Sequence, residues 1–332
     1  MRIAVDVMGG DHAPQALVEG ALQALKRFDD IELLLIGQQE KIKKYVKRSL
    51  TKIEIIHASE IIEAHEEPVR AVRRKRDASI VKAVQLVKEK KADACISAGN
   101  TGAYMTAGLF VIGRLPGIER PALVSMLPTV DGTPVLALDV GANVDAKPSH
   151  LVQYARMGNL YAQKILGISK PSIGLLNVGT EDTKGNELMR QTFSLLKQSD
   201  LYFLGNVEAR EIPFGVADII VCDGFSGNVV LKSTEGTAQA VFSLLKKELN
   251  RSLPSRLAAL TLKSGLRRMK SLLDYTEYGG APLLGLNGIC IKAHGSSNAK
   301  AIENAVRQAR NFVRFDLIQL IKREVQKESE AN

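Results

Sequence analysis

The chain has 332 residues, 45% of them hydrophobic and 24% charged, with a formal net charge of +9. That balance gives a full core and excludes a disordered or fibrous chain, while no apolar run reaches the roughly 18 residues of a bilayer-spanning helix. Cys95, Cys222 and Cys290 each sit in an apolar run without Cys-x-x-Cys spacing, which reads as reduced core cysteines of a cytoplasmic protein and not as a disulfide framework or a zinc site.

The N-terminus enters a predicted strand at residues 2–7, with no signal-peptide pattern before it. Met8-Gly-Gly-Asp-His-Ala-Pro14 is its turn, and Pro14 suits the first position of a helix over 15–28. A strand over 32–37, a helix over 38–47 and a strand over 53–57 continue the alternation. The segment 58–78 reads as irregular and carries Glu66-Glu67-Pro68 and the basic run Arg73-Arg-Lys-Arg76, after which Ser79 caps a helix to 90. A basic run is commonly a solvated face, but Arg73 and Lys75 are also candidates to take phosphate or an acidic carrier.

Residues 92–97 form a strand, and Ala98-Gly-Asn-Thr-Gly-Ala103 turns into a helix reaching 113. Strands over 122–127 and 134–140 flank Asp131-Gly132 as a hairpin. A helix over 150–166 and a strand over 172–177 lead to Val178-Gly-Thr-Glu-Asp-Thr-Lys-Gly-Asn186, a turn dense in hydroxyls, amides and glycine. After a helix over 187–197 and a strand over 201–205, the strand over 218–222 breaks at Asp223-Gly224 into a helix running to about 250. Ser226, Gly227 and Asn228 could let an anion approach that helix start, where free N–H groups and the dipole favour negative charge. Ser and Asn are equally ordinary helix caps.

The stretch 252–275 interrupts the alternation. Leu262, Leu266, Met269 and Leu273 share one helical stripe, while Leu253, Leu257 and Leu260 lie on roughly the opposite side. This predicts two short amphipathic helices joined near Lys263-Ser-Gly265, with Arg256, Lys263, Arg267, Arg268 and Lys270 outside the apolar faces. Such a hairpin packs on its own domain or a dimer partner, or touches an anionic membrane.

Alternating strands and helices predict an α/β fold with a mostly parallel sheet covered by helices on both faces. We expect one catalytic domain over 1–332, with the hairpin 252–275 inserted. In this architecture ligands bind at the carboxyl ends of strands, where the polar turns fall. A dinucleotide enzyme is disfavoured because Met8-Gly-Gly-Asp-His lacks the Gly-x-Gly-x-x-Gly fingerprint. The basic charge calls for an acidic partner, yet no nucleic-acid-binding motif is present.

With these residues in hand the chain resembles the bacterial phosphate acyltransferase family called PlsX. The resemblance is carried from end to end by Asp6-Val-Met-Gly-Gly-Asp-His-Ala-Pro14, Ser97-Ala-Gly-Asn-Thr-Gly102, Asp139-Val-Gly-Ala-Asn143, Asn177-Val-Gly-Thr-Glu181, Asp223-Gly-Phe-Ser-Gly-Asn228 and Tyr278-Gly-Gly-Ala-Pro-Leu-Leu-Gly285. Lys75-Arg-Asp-Ala-Ser79 departs slightly from the family, which more often reads closer to Lys-x-Asp-Ser-Ser. The resemblance implies transfer of a long acyl group from acyl carrier protein to inorganic phosphate, supplying acyl phosphate to a membrane glycerol-3-phosphate acyltransferase. It also implies a phosphotransacetylase-like and isocitrate-dehydrogenase-like fold, a homodimer, and a cytoplasmic protein peripherally associated with an anionic membrane surface, with no nucleic acid and no cofactor.

Direct attack of phosphate on a thioester needs a held dianion and a stabilised oxyanion, which positioning and electrostatics supply without a metal. Gly179, Thr180, Ser226, Gly227 and Asn228 are candidate donors to phosphate, with Lys184 and Lys75 as cations. Asn100 and Thr101 are candidates for the oxyanion, and Asp11, His12, Asp223 and His294 complete the candidate catalytic set, the imidazoles as proton handlers. Leu257, Leu260, Leu262, Leu266 and Met269 are candidates for membrane contact. Two readings compete: an acyl-enzyme on Cys222, and a non-catalytic basic scaffold at the membrane.

Overall fold

A computed structural model describes residues 1–46, 51–272 and 279–331. Lys47, Leu273, Tyr275 and Tyr278, which the sequence reading uses, lie outside the described residues.

Short aliphatic runs become strands and amphipathic runs become helices, alternating for most of the chain. The order opens with β1 (Arg2–Asp6), α1 (Gln15–Arg27), β2 (Glu32–Gly37), α2 (Gln39–Lys43) and β3 (Ile53–His57). Next come α3 (Pro68–Arg74), α4 (Ser79–Lys88), β4 (Ala94–Ser97) and α5 (Thr101–Ala107), the last continued by a wider π turn over Gly108–Ile112. Then follow β5 (Ala122–Leu127), β6 (Val135–Leu138), α6 (Pro148–Tyr161), β7 (Ile173–Asn177) and α7 (Glu187–Lys197). The chain continues with β8 (Phe203–Glu208), β9 (Ile219–Val221), α8 (Gly224–Leu249) and α9 (Leu253–Leu272). It closes with β10 (Ala281–Leu284), β11 (Ile289–Lys292), α10 (Ala299–Arg314) and α11 (Leu317–Ala331). Helix α3, within a segment read as irregular, starts where Pro68 needs no donor and the Glu67 carboxylate accepts from Val69 N (3.0 Å) and Arg70 N (2.7 Å).

The chain divides into two compact units. The first comprises Met1–Ser125, Arg156–Lys170 and Thr276–Asn332, the second Met126–Ala155 and Pro171–Tyr275. The reason is connectivity: two later segments return to complete the first unit, so the chain divides its apolar residues between two cores instead of enlarging one. In the first unit the strand order is β3-β2-β1-β4-β11-β10-β5, parallel from β3 to β11, with β10 antiparallel to both neighbours. The second unit holds β6-β9-β7-β8, all parallel. Strands β1, β2 and β4 are aliphatic on both faces and buried from end to end apart from the edge residues Arg2 and Glu32, as parallel strands covered on both sides must be.

In the first unit α1 packs against α10, and Tyr161 meets Phe312 edge to face with ring centroids 5.5 Å apart. In the second unit Phe193 and Phe203 make the same arrangement at 5.3 Å.

The predicted break at Lys263-Ser-Gly265 does not occur. Helix α9 runs unbroken for 20 residues and packs against α8. A helical glycine costs only about 1 kcal/mol relative to alanine, too little by itself to end a helix. Leu253, Leu257 and Leu260 are 75%, 66% and 66% exposed and Leu262 is 55% exposed, so neither stripe is core of this chain; Met269 is also exposed and Leu266 half-buried. No described helix is long and apolar enough to cross a membrane.

The α1–α10 contact rests on Gly20, where a Cβ would lie 2.3 Å from the Ala299 carbonyl oxygen and 2.6 Å from Ile302 Cβ. Gly20→Ala gains about 1 kcal/mol of helix propensity but forces the helices apart, at a cost of about 1–3 kcal/mol for overpacking. A net fall in stability is expected in urea denaturation, and an unchanged or raised midpoint would show that the helices separate freely.

Candidate active site

In the first unit the parallel strands β1, β4 and β11 deliver their carboxyl ends to one edge. Asp6, the last residue of β1, is 1% exposed and accepts from Met8 N (3.1 Å) and from Ser97 Oγ at the end of β4 (2.7 Å). Ser97 Oγ in turn accepts from Gly99 N (3.0 Å). Burial pushes the Asp6 carboxyl above its ordinary value, opposed by hydrogen bonds from Ser79, Ser97, Met8 and Gly9. The two turns touch backbone to backbone, for a Cβ on Gly9 would lie 2.5 Å from Gly99 N. The β11 turn joins them through Ala293 N to Ser97 O (2.9 Å) and Asp11 N to Gly295 O (2.8 Å).

This stitching joins the backbones of the three turns, which carry Asp11 and His12, Thr101, and His294. Asp11, His12 and Thr101 are exposed and His294 is half-buried. His294 Nδ1 accepts from Ser296 N (3.2 Å) and lies 2.8 Å from Ser296 Oγ. A backbone N–H can only donate, so in the neutral ring the proton sits on Nε2, which makes that nitrogen a donor. Two residues earlier Lys292 is 6% exposed and donates to the Ala293 carbonyl, placing a buried cation at the same strand end.

Two candidates have structural work here instead. The Asn100 amide donates to the carbonyls of Glu63 (3.2 Å), Ala64 (3.1 Å) and Glu66 (3.1 Å), and its Oδ1 caps α5 through Ala103 N (3.0 Å). Its amide hydrogens are therefore engaged in holding the 63–66 loop. Lys75 Nζ is held by Glu66 Oε1 (2.6 Å) and Ile61 O (2.8 Å), so it serves as a loop anchor and not as a free cation. Arg73 is exposed and lies over Phe110, 5.5 Å from the ring centroid.

In the second unit β6, β9 and β7 likewise end at one edge. Asp139, fully buried after β6, accepts from Gly141 N (3.1 Å), Ala142 N (2.9 Å), Asn143 N (2.7 Å) and Asn143 Nδ2 (3.0 Å). The start of α8 is pressed onto this loop: Gly224 N donates to Asn143 O (2.8 Å), and a Cβ on Gly227 would lie 1.9 Å from Asp139 O. The expectation of an open anion seat at Ser226 and Gly227 meets a competitor. Asp223 caps the helix itself, accepting from Ser226 N (2.9 Å) and Ser226 Oγ (2.8 Å), and Gly227 N donates to Asp223 O (2.9 Å). Asn228 stays exposed beside Gly141.

The β7 turn keeps more of its polar surface open. Asn177 organises it by accepting from Val178 N (2.8 Å) and donating to Lys184 O (3.1 Å), and Gly185 supplies φ +89° where its Cβ would meet Asn177 Oδ1 at 2.4 Å. Gly179 is buried, while Thr180 and Lys184 are exposed; Lys184 Nζ is 3.9 Å from Glu181 Oε1, a loose surface pair of little strength.

All three cysteines are buried and free. Burial, followed by the nearby Asp139 and Asp223 carboxylates, pushes the Cys222 thiol well above its ordinary value. A buried, protonated thiol is a poor nucleophile, which disfavours an acyl-enzyme on Cys222. Among the described residues no group of three or more His, Cys, Asp or Glu side chains is placed to hold a metal ion. Sequence reading left Asp139 and Lys292 out of the candidate set; the one signal for either was an ionisable residue closing an apolar run.

Asp6 gives a pH signature. Its folded-state value is raised, so its favourable contribution is complete below its unfolded value and is lost as pH rises through the folded one. Asp6→Asn should gain on the wild type in urea midpoint as pH rises above the ordinary carboxylate value of about 4; a difference that does not change with pH would refute the assignment.

Residues 1–320 match the family model described as "Fatty acid synthesis protein". The chain is 59% identical over 329 residues to a phosphate acyltransferase of Geobacillus thermodenitrificans (strain NG80-2), covering 99% of this chain and 100% of that one. It is 58% identical over 329 residues to a phosphate acyltransferase of Bacillus pumilus (strain SAFR-032), covering 99% of each. Among solved structures it is similar to a phosphotransacetylase from Streptococcus pyogenes, with TM-score 0.60 and 19% identity over 96% of this chain and 94% of that one. The EutD phosphotransacetylase from Staphylococcus aureus gives TM-score 0.57 and 16% identity over 94% of both chains; at such identities the likeness concerns the fold. With a family model spanning nearly its whole length and relatives close to 60% identical end to end, the chain belongs to the phosphate acyltransferase family.

Proposed function

We propose that this acyltransferase moves a long-chain acyl group from the thioester of acyl carrier protein to inorganic phosphate, releasing acyl phosphate for a glycerol-3-phosphate acyltransferase of the membrane. The observation that carries this reading is the end-to-end identity with proteins named phosphate acyltransferase. In the reaction a phosphate oxygen attacks the thioester carbonyl, the C–O bond forms, the C–S bond breaks, and the departing thiolate takes a proton.

The burial of Cys222 supports attack by phosphate itself, with no acyl-enzyme. In the first unit, His294 with its Nε2–H and the exposed His12 are the proton handlers, Asp11 is the nearby carboxylate, and Lys292 favours developing negative charge at that edge. Thr101 remains a hydroxyl candidate for the oxyanion. In the second unit the Gly179–Lys184 turn, with Thr180 and Lys184 exposed, has open groups suited to phosphate, and Asn228 is a further donor. Asp223 acts as the cap that holds the start of α8.

The exposed apolar residues of α9, set among Arg256, Lys263, Arg267 and Arg268 with no acidic residue in the helix, suit an anionic membrane surface. The exposed Val229, Val241 and Leu244 of α8 suit a second copy in a homodimer.

The deciding measurement is release of free acyl carrier protein from its long-chain acyl form, with and without inorganic phosphate, together with detection of acyl phosphate. Release is expected only with phosphate, and Cys222→Ala should retain turnover at wild-type order. Phosphate-independent release would indicate a thioesterase. For the membrane, Leu257→Ser with Leu260→Ser should reduce sedimentation with vesicles rich in anionic lipid, and undiminished sedimentation would sink direct contact through α9.

A further inference from the structure

The basic run at the end of α3 has lost one member to structure and kept the rest for the surface. Lys75 is anchored inward, but Arg70, Arg73, Arg74 and Arg76 are exposed, and among the described residues none of their guanidinium groups meets a carboxylate. Three of the local acids are otherwise engaged. Glu66 holds Lys75 at 2.6 Å, Asp77 holds Lys82 at 2.5 Å together with the Ser59 hydroxyl, and Glu67 caps α3. Arg2, Arg27, Arg210, Arg251 and Arg310 have acidic partners, whereas Arg256, Arg267 and Arg268 of α9 share with this run the lack of an ion pair among the described residues.

Stability does not account for this concentration of charge. The dipole at the C-terminal end of α3 accommodates Arg73 and Arg74, but Arg70 lies in the first turn, where a cation is disfavoured, and Arg70 and Arg74 are like charges at i,i+4. Arg73 stacks on Phe110, itself 55% exposed, so the patch also has an aromatic centre. The mounting is rigid: Asn100 ties the Glu63–Glu66 loop to the β4 turn, and a Cβ on Gly102 of α5 would lie 2.6 Å from Pro68 Cγ at the head of α3.

We propose that Arg70, Arg73, Arg74 and Arg76, with Phe110 beside Arg73, are the docking surface for the acidic face of the carrier protein. This rests on the reading of a carrier-borne thioester as acyl donor, and it gives Asn100 a positioning role, since its amide couples the docked surface to the β4 turn. Charge complementarity selects the occupant: an exposed, uncompensated arginine cluster speeds encounter with an acidic protein and sets its register.

The test compares Arg70→Glu, Arg74→Glu and Arg76→Glu with wild type on two donors, acyl carrier protein thioester and the corresponding acyl-pantetheine thioester. The expected result is a rise of roughly ten-fold in KM for the carrier substrate, hence a fall of similar size in the ratio of carrier to pantetheine kcat/KM. Arg74→Lys should keep the ratio, and the difference should shrink in about 1 M salt, where the screening length is about 3 Å. An unchanged ratio overturns the proposal, as does a ratio that falls equally in Arg74→Lys. Loss of duplex nucleic-acid binding with the ratio intact would assign the patch to nucleic acid and also overturn it. A wild-type protein that turns over neither thioester sinks the proposed reaction instead. Docking is then decided by titration with unacylated carrier protein: binding lost in Arg74→Glu supports the surface, and no binding by wild type overturns it.

Discussion

A carboxylate sealed from water must be surrounded by donors, and both polar edges of this protein are built on that requirement. Asp139 collects three consecutive backbone N–H groups and one side-chain amide from the turn that follows it. The turn has little choice of conformation once the carboxylate is buried, because each unsatisfied partner would carry its own desolvation cost. Asp6 applies the same rule to the first unit, drawing Ser97 and the β1 turn inward. The roles proposed for His12 and His294 depend on the Asp6 anchor, since side chains keep their places only if the backbone beneath them is held.

The strand-helix alternation was legible because parallel strands leave an unambiguous trace: aliphatic runs of four to six residues ended by small polar groups. β2, β3, β5 and α7 fall where the sequence places them. The family was legible as well, because its motifs are the strand-end turns. Less legible was how each polar side chain would be used. Asn100 and Lys75 look like binding groups in one dimension, and only their three-dimensional partners, the carbonyls of residues 61–66 and the Glu66 carboxylate, reveal them as fasteners. Asp139 was overlooked for the converse reason, since an acid following an apolar run carries no mark of the four donors that will close on it.

Helix α9 shows a different limit. Its two leucine stripes on roughly opposite sides, changing over near Gly265, suggested two short helices joined there. The helix is continuous and both faces retain exposed leucines, so the pattern encodes surfaces and not a core. Periodicity reports that a face is apolar; it is silent about what covers it.

The glycines of α8 carry a consequence for the order in which the molecule comes into being. Cys222 and Asp139 are bonded across a sequence separation of 83 residues, and Gly224 and Gly227 seat themselves on the same loop. During synthesis the β6 turn must therefore wait, with its acceptors unclaimed, until β9 and the first turn of α8 have left the ribosome. Closing so long a loop is entropically costly and tends to come late. The packed β6 loop is thus a product of completed folding, and a truncated or stalled chain ending before Gly224 would carry the β6 motif without the helix start that packs on it.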